Sequence, residues 1–324
     1  MSRAVRIHQL GGPEVLSWDE VDIPAPGVGQ VALRQTAVGL NFIDVYQRSG
    51  LYPLGELPQV LGMEAAGVVE SVGEGVDGFA PGDRVAYAMV LGAYAEHRLV
   101  DAEKLLKLPD SVSDESAAAV LLQGMTARYL LKGSFPVKSG DTILLMAAAG
   151  GVGLILSQWA RDLGATVIGC VGSEEKAELA RRNGCAHTIN YREENVAARV
   201  HELTDGEGVA VSYDSVGAAT LEASLDSLRP TGTLVSFGNA SGPITNLNLG
   251  LLAQKGSLYV QRPTLATYIR TRELLQACAD DLFDVLGSGL VHAHIGQRYR
   301  LEQAADAHRD LEARRTTGST ILVP

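Results

Sequence analysis

The stretch from Asp141 to Gly153 limits what this chain can fold into more than any other part of it. Thr142 to Ala147 (TILLMA) is an apolar run of strand length without Gly or Pro, bounded by Ser139-Gly140-Asp141. It predicts a strand buried on both faces, and so a parallel sheet. Ala148-Ala149-Gly150-Gly151-Val152-Gly153 follows at once, and Leu154 to Leu163 (LILSQWARDL) has apolar positions suited to a helix packed on that sheet. A strand, a tight glycine turn and a helix in that order present unpaired backbone N–H groups and the positive end of a helix dipole to an anion. The spacing matches the dinucleotide fingerprint G-x-G-x-x-G with Ala148 in the first place, Gly150 in the second and Gly153 in the third. Gly150, Gly151, Val152 and Gly153 are therefore the expected grip on a pyrophosphate. The same residues also fit a plain tight turn, so the surrounding pattern has to decide.

Downstream, that pattern alternates. ATVIGCV, HTINY, VAVSYDSV, GTLVSFG and GSLYV read as strands, and EEKAELARRN, ENVAARVHELT and LEASLDSLR as the helices between them. Regular βα alternation predicts a doubly wound parallel sheet. Upstream, from Arg3 to about Val100, short strand-like segments (AVRIHQL, VLSWDEV, QVALRQTAVGL, AAGVVESVG, DRVAYAM, YAEHRLV) are punctuated by Gly and Pro, which predicts a bent sheet or partial barrel. Asn41 to Gly50 has helical spacing. Ser113 to Leu131 opens with cap chemistry and is rich in helix formers, and Gly124 predicts two helices meeting there. After Arg262-Pro263 come two helical stretches (YIRTRELLQACADDLFDVLGSG and LEQAADAHRDLEARR) and two strand-like pieces (HAHIGQRYR and STILVP) with no sheet of their own. They are expected to return to the first domain. The expected division is thus 1–124 with 263–324, and 125–262 inserted between them.

Composition narrows the function classes. A chain of 324 residues, 46% apolar and 20% charged without a low-complexity tract, is globular and long enough for about two domains. A net charge of −11 argues against neutralising nucleic-acid phosphates or an anionic membrane. The N-terminal MSRAVRIHQL lacks a signal-peptide core, and no apolar run approaches the ~18 residues that span a bilayer. Cys170, Cys185 and Cys278 are odd in number and fit neither a disulfide framework nor a metal motif, so a cytoplasmic protein with reduced thiols is expected.

Several longer segments carry a resemblance: GLNFIDVYQRSGLYP (Gly39 to Pro53), LGMEAAGVVESVGEGV (Leu61 to Val76), PGDRVAY (Pro81 to Tyr87), QGMTARYLL (Gln123 to Leu131), AAAGGVG (Ala147 to Gly153), INYREE (Ile189 to Glu194), YDSVG (Tyr213 to Gly217) and VSFGNASG (Val235 to Gly242). In these the chain resembles the zinc-free medium-chain dehydrogenases/reductases, and among them the NADPH-dependent quinone oxidoreductases related to zeta-crystallin. The resemblance spans essentially the whole chain. It implies an α/β protein with a GroES-like partial β-barrel domain built from both chain ends, a Rossmann domain between, and an active cleft at their junction. Ala148 in the first fingerprint place is that family's habit. Zinc-dependent relatives have a Cys where this chain has Asn41 and a His where it has Met63, beside Glu64. Zinc takes Cys, His or carboxylate at about 2.0–2.3 Å, so a thioether and an amide offer no site and no metal is expected. Without a Lewis acid to lower the pKa of an alcohol, alcohol oxidation is disfavoured against reduction of an electron-poor acceptor.

The second strand ends at Val171-Gly172-Ser173, where NAD enzymes place an Asp or Glu for the ribose 2′-OH. No acid is present there. Ser173 and Lys176 can instead meet a 2′-phosphate, with Gly172 in the turn and Tyr191 nearby by resemblance, so NADPH is the expected cofactor. A helix-start lysine such as Lys176 also fits a solvated surface position, as do Arg314 and Arg315, of which Arg315 is the candidate from the tail. The resemblance further implies that Asn41, Tyr46, Thr126, Tyr129, Ser215, Phe237, Gly238 and Asn239 line the cofactor. Tyr52 and Gln123 would face the substrate, and Asn41, Tyr46, Tyr52 and Gln123 form the expected catalytic set. Tyr46 and Tyr52 also fit half-buried aromatics whose hydroxyls find a partner. Asp44 and Glu64 can form a hydrogen-bonding network beneath the emptied zinc position, and either also fits a purely structural role. The expected function is hydride transfer from NADPH to a quinone. The alternatives are C=C reduction of an enal or enone, and a non-enzymatic cofactor-binding protein of RNA-binding or crystallin type, against which the acidic balance weighs. The last sheet strand, near Gly256 to Val260, would leave an apolar edge, and family members close it by pairing with a second copy, so a homodimer is expected.

Overall fold

In the computed structural model, which describes Ser2 to Pro324, the chain forms two units. One takes the chain up to Gln123 together with Thr271–Gly287 and Ala293–Pro324, and the other takes Gly124–Arg270 and Ser288–His292.

In the first unit the Gly- and Pro-punctuated segments become β1 (Ser2–Ile7), β2 (Leu16–Val21), β3 (Gln30–Leu40), β4 (Gln59–Val60), β5 (Glu64–Val72), β6 (Arg84–Ala88), β7 (His97–Asp101) and β8 (Leu106–Lys107). The order β2-β1-β4 makes one small sheet. The strand β3 organises the other. It pairs with β5 along its length, and on its other side with β7 through Gln30 to Arg34. Register shifts between Ala32 and Leu33 and between Gln35 and Ala37 bend it, since an extra residue on one strand increases local twist. Glycine is needed where β5 crosses, because a Cβ on Gly67 would lie 2.5 Å from the Arg34 carbonyl oxygen. β3 runs into α1 (Phe42–Ser49), which starts at Asn41 in extended conformation and stops at Gly50 in the left-handed region (φ 82°).

The helix α2 (Asp114–Tyr129) is continuous through Gly124, so the two helices expected to meet there are one. An interior glycine costs only about 1 kcal/mol relative to alanine, less than burying neighbours such as Leu121 and Met125 returns. A π-helical turn, Leu130–Ser134, ends it.

The second unit contains β9 (Thr142–Leu145), α3 (Gly151–Asp162), β10 (Thr166–Val171), α4 (Glu174–Arg182), β11 (His187–Asn190), α5 (Val196–Leu203), β12 (Val209–Asp214), α6 (Leu221–Asp226), β13 (Leu228–Ser236), α7 (Leu249–Gln254), β14 (Tyr259–Gln261) and α8 (Leu265–Tyr268). All pairs are parallel, in the order β11-β10-β9-β12-β13-β14. Successive strands are added outward from β9 to β11 on one side and from β12 to β14 on the other, so the order of winding reverses between β9 and β12, which is the switch point of a doubly wound dinucleotide fold. The last strand is shorter and later than GSLYV implied, because Gly256 (φ 107°) is used to turn, its carbonyl accepting from Thr231 N–H. The core is apolar: Leu144, Ile168, Cys170, Ile189 and Leu234 pack between the helices.

The tail contributes α9 (Arg272–Gly287), β15 (Ile295–Arg300), α10 (Ala304–Glu312) and β16 (Ser319–Val323). β16 lies antiparallel beside β3 through Val38 to Leu40, with β15 parallel on its far side. Residues 263–270, expected with the first unit, lie in the second, where Tyr268 stacks on Tyr129 at 4.5 Å between ring centroids. Residues 288–292 lie there too, because Gln158 on α3 exchanges hydrogen bonds with both backbone groups of His292.

Candidate functional site

The parallel sheet collects its turns at one edge. β9, β10, β12 and β13 all end there, and the segments that follow them hold Gly150 to Gly153, Gly172 to Lys176, Ser215, and Phe237 to Asn239. After β9, Ala147 takes a positive φ of 56° and Gly150 caps α3 in extended conformation, so Gly151, Val152 and Gly153 form the first turn of the helix. A Cβ on Gly153 would lie 2.6 Å from the carbonyl oxygens of both Ala147 and Ala148, so only glycine lets the helix start this close to the strand. The arrangement is a cradle of backbone N–H groups suited to a pyrophosphate.

At the end of β10, Ser173 caps α4, its Oγ accepting from Lys176 N–H at 3.3 Å. Tyr191 N–H donates to Val171 O, and its hydroxyl would stand 2.5 Å from a Cβ on Gly172. Gly172, Ser173, Lys176 and Tyr191 are thus brought together around one turn, and Glu174 and Glu175 are exposed beyond it.

Asp214, fully buried at the end of β12, was not singled out by sequence. One carboxylate oxygen accepts from Val216 N–H (2.7 Å) and Gly217 N–H (3.0 Å), the other from the hydroxyls of Thr220 and Ser224 (both 2.7 Å). The loops after β12 and β13 are joined by Ala240 N–H to Ser215 O, Ser241 N–H to Val216 O and Ala218 N–H to Gly242 O. A Cβ on Gly238 would meet Ser215 O at 2.3 Å, so Ser215, Phe237, Gly238 and Asn239 form one tightly joined pair of loops. Thr126 and Tyr129 sit three residues apart on one face of α2, both buried.

In the first unit the expected catalytic residues assemble around α1. Tyr46 is buried there and packs edge-on against Tyr52 (5.1 Å between centroids), whose N–H donates to Tyr46 O. Asn41, buried at the helix start, forms a capping box with Asp44, whose N–H donates to the Asn41 backbone carbonyl (3.1 Å). Its backbone N–H donates to Asp44 Oδ2 (2.8 Å), its Nδ2 donates to Glu64 Oε1 (2.6 Å), and its Oδ1 accepts from Gln123 Nε2 (3.2 Å). Gln123 Oε1 in turn accepts from Ser319 Oγ (2.7 Å). The expected Asp44–Glu64 network therefore runs through Asn41. Met63 Sδ accepts from Gln47 Nε2 at 3.3 Å, and among the described residues no group of three or more His, Cys, Asp and Glu side chains could hold a metal. Arg315 in the first unit donates to Asp310 through both Nε (2.9 Å) and Nη2, which commits its guanidinium locally.

Burial pushes both carboxyls up. Asp44 is raised to about 7 by burial against the opposing hydrogen bonds from Asn41 and Tyr94, and Glu64 to about 8 by burial with a further push from Asp44. A second buried chain ends on Asp44, and its direction follows from what each group can donate. Arg48, 1% exposed, has no acceptor, so His308 Nδ1 accepts from its Nη1 (3.0 Å). The proton on His308 Nε2 then donates to Tyr94 Oη (3.0 Å), and Tyr94 donates to Asp44 Oδ2 (2.9 Å). Burial and the Arg48 charge hold His308 neutral, with its pKa down at about 3. Glu312 anchors Arg48 at 2.8 Å. Asp44 Oδ1 has no hydrogen-bond partner among the described residues. Sequence reasoning missed Arg48, Tyr94 and His308, which are scattered along the chain without a shared motif.

Residues 27–110 match the family described as alcohol dehydrogenase GroES-like domain, and 151–280 the one described as zinc-binding dehydrogenase. A protein of Pseudomonas aeruginosa named quinone oxidoreductase is 55% identical over all of both chains. The crystal structure of Escherichia coli quinone oxidoreductase complexed with NADPH superposes with a TM-score of 0.97, at 48% identity over 99% of this chain and 100% of that one. A 2-haloacrylate reductase of a Burkholderia species is 47% identical over 100% of this chain and 99% of its own. The chain belongs to the quinone oxidoreductase family of medium-chain dehydrogenases/reductases, and is an oxidoreductase.

Proposed function

We propose that this protein is an NADPH-dependent quinone oxidoreductase that needs no metal, catalysing NADPH + H⁺ + quinone → NADP⁺ + hydroquinone. End-to-end identity of 48–55% to relatives named quinone oxidoreductase carries this reading. The local chemistry supports it. Gly150 to Gly153 offer backbone N–H groups to a pyrophosphate, and Ser173 and Lys176 offer a hydroxyl and a cation to a 2′-phosphate at a strand end without an acid. When bound, the cofactor supplies hydride from its nicotinamide C4.

The chain's part is to bind and orient. Thr126, Tyr129, Ser215 and Phe237 to Asn239 hold the cofactor, with Gly172 and Tyr191 at its adenosine end. Asn41, Tyr46, Tyr52 and Gln123 meet the reacting groups, and positioning of this kind is worth several kcal/mol of barrier. Arg315 is a weaker candidate for the cofactor, being held by Asp310. The exposed edge of β14, with Tyr259 at 63% and Val260 at 37% exposure, supports a homodimer in which two copies extend the sheet. We also propose that the two units are the substrate and cofactor domains. Three buried cysteines outside any disulfide suit a cytoplasmic enzyme.

The Burkholderia relative favours a second reading, reduction of an activated C=C bond. Steady-state turnover with NADPH on a panel of benzoquinones and naphthoquinones, against a panel of enones and 2-haloacrylates, tests the choice. Higher kcat/KM on the quinones supports the proposal, and turnover confined to the alkenes refutes it.

A further inference from the structure

We propose that Glu64 is a positioning residue whose protonation state sets the direction of a buried chain of side-chain amides, Glu64–Asn41–Gln123–Ser319, and so which way Asn41 and Gln123 present their N–H and C=O groups. As the chain stands, every donor points toward Glu64. Ser319 Oγ donates to Gln123 Oε1, Gln123 Nε2 to Asn41 Oδ1, and Asn41 Nδ2 to Glu64 Oε1. All four side chains are buried, at 0–7% exposure, so water does not compete for these bonds.

The two oxygens of Glu64 are not equivalent. Oε2 accepts from the backbone N–H of Leu122 on α2 at 2.6 Å, a donor that has no other polarity to offer. A proton taken up by Glu64 therefore goes to Oε1, the oxygen facing Asn41. The Oε1 hydroxyl and Asn41 Nδ2 would then be two donors in one hydrogen-bond gap, and leaving them so costs about 1–3 kcal/mol. Turning the Asn41 amide over relieves the clash and brings its Oδ1 to Glu64. Its Nδ2 then meets Gln123 Nε2, so the Gln123 amide turns as well, placing Oε1 toward Asn41 and Nε2 toward Ser319. The chain can end there because a hydroxyl both donates and accepts. Glu64 has little freedom to escape the conflict, since a Cβ on Gly39 would already lie 2.3 Å from its Oε1.

The groups around Glu64 leave its proton loosely held near neutral pH. Asp44 on α1 opposes its ionisation, and the phenols of Tyr87 on β6 and Tyr94 before β7 are buried and pushed above their usual 10, so they remain neutral. Among the described residues, Gly39 on β3 lies against Glu64 and Leu122 on α2 offers it a backbone N–H, neither of which titrates. No ion pair found among the described residues includes Glu64. Burial thus favours the protonated acid, while the hydrogen bonds from Asn41 and Leu122 favour the carboxylate.

The consequence for turnover rests on the reading that Asn41 and Gln123 face the reacting groups; the amide chain itself does not. The test is a pH titration of the full-length protein labelled with ¹⁵N at Asn and Gln side chains, the two amides being assigned by their loss in Asn41→Ala and Gln123→Ala. The expected result is that both NH₂ signals shift together through one transition, that Glu64→Gln abolishes it, and that Asp44→Asn moves it to lower pH by removing the neighbouring charge. Signals that do not move together, or that still titrate in Glu64→Gln, overturn the proposal. Should Glu64→Gln fail to fold, an unmoved transition in Asp44→Asn overturns it. Quinone kcat/KM over the same pH range is the separate readout. If the amides titrate and kcat/KM stays flat, the amide chain stands and the placement of Asn41 and Gln123 at the reacting end falls.

Discussion

Replacing Ser173 with Asp should turn the cofactor preference around while leaving the fold intact. Ser173 is half-buried at the start of α4, extended in backbone, with its Oγ on Lys176 N–H. Aspartate caps a helix as well as serine does, so the change in stability should stay within a few tenths of a kcal/mol. The effect on the 2′-phosphate is larger. Two unit charges about 4 Å apart interact by about 1 kcal/mol in water and about 4 kcal/mol near a protein surface, and this half-exposed turn belongs toward the lower limit. With a phosphate charge of about −1.5 to −2, repulsion costs about 2 kcal/mol. Losing the hydroxyl's bond to the anion adds about 1.5 kcal/mol. NADPH should therefore bind a few hundredfold more weakly, at about 1.4 kcal/mol per factor of ten. NADH should gain up to about tenfold, because a carboxylate can accept from its 2′-OH. Lys176→Ala should weaken NADPH by about tenfold and leave NADH nearly unchanged, since only NADPH loses a charged partner. Fluorescence titration of each variant with each cofactor, beside a thermal melt, is the assay. Equal weakening of both cofactors in Lys176→Ala, or a wild type indifferent between them, would refute the assignment of this turn to the 2′-phosphate.

Three further outcomes are expected. Gly153→Ala would press a methyl against two backbone oxygens 2.6 Å away, so it should cost about 1–3 kcal/mol of stability and weaken both cofactors alike, read from the melt and the same titrations. If two copies pair through the exposed edge of β14 as proposed, Val260→Lys should give a folded monomer under conditions where the wild type scatters as a dimer; light scattering that finds the wild type monomeric at micromolar concentration removes the basis for this. Stability should fall as pH rises from about 6.5 to about 8, because Asp44 and Glu64 keep their protons in the folded state to about 7 and about 8, whereas the unfolded chain has already lost them. His308, whose folded pKa is depressed to about 3, acts with the opposite sign, its contribution growing as pH rises from about 3 to its unfolded value of 6.5, so the carboxyls alone govern the slope above that. Denaturant melts of wild type and Glu64→Gln across this range check it, and an equal slope in the variant would count against Glu64.

What the sequence by itself determined is what depends on neighbouring residues. The run from Thr142 to Gly153 specifies strand, turn and helix through backbone geometry, and the βα period that follows specifies a parallel sheet, because both are properties of short segments. The missing acid at Gly172-Ser173 is likewise readable in place. Where local preference conflicts with burial, tertiary structure decided. Gly124 reads as a break, yet α2 runs through it because its flanks are buried, and residues 263–270 stay with the second unit because Tyr268 stacks on Tyr129. Of the polar interior, the resemblance implied an Asp44–Glu64 network, but the distant partners were decided only by the fold. His308 lies 260 residues from Arg48 and 214 from Tyr94, and Ser319 lies 196 from Gln123, so no spacing rule joins them. They meet because β16 and α10 return to β3 and α1. A buried hydrogen-bonding group must find its partner wherever packing has carried one, however distant in the chain.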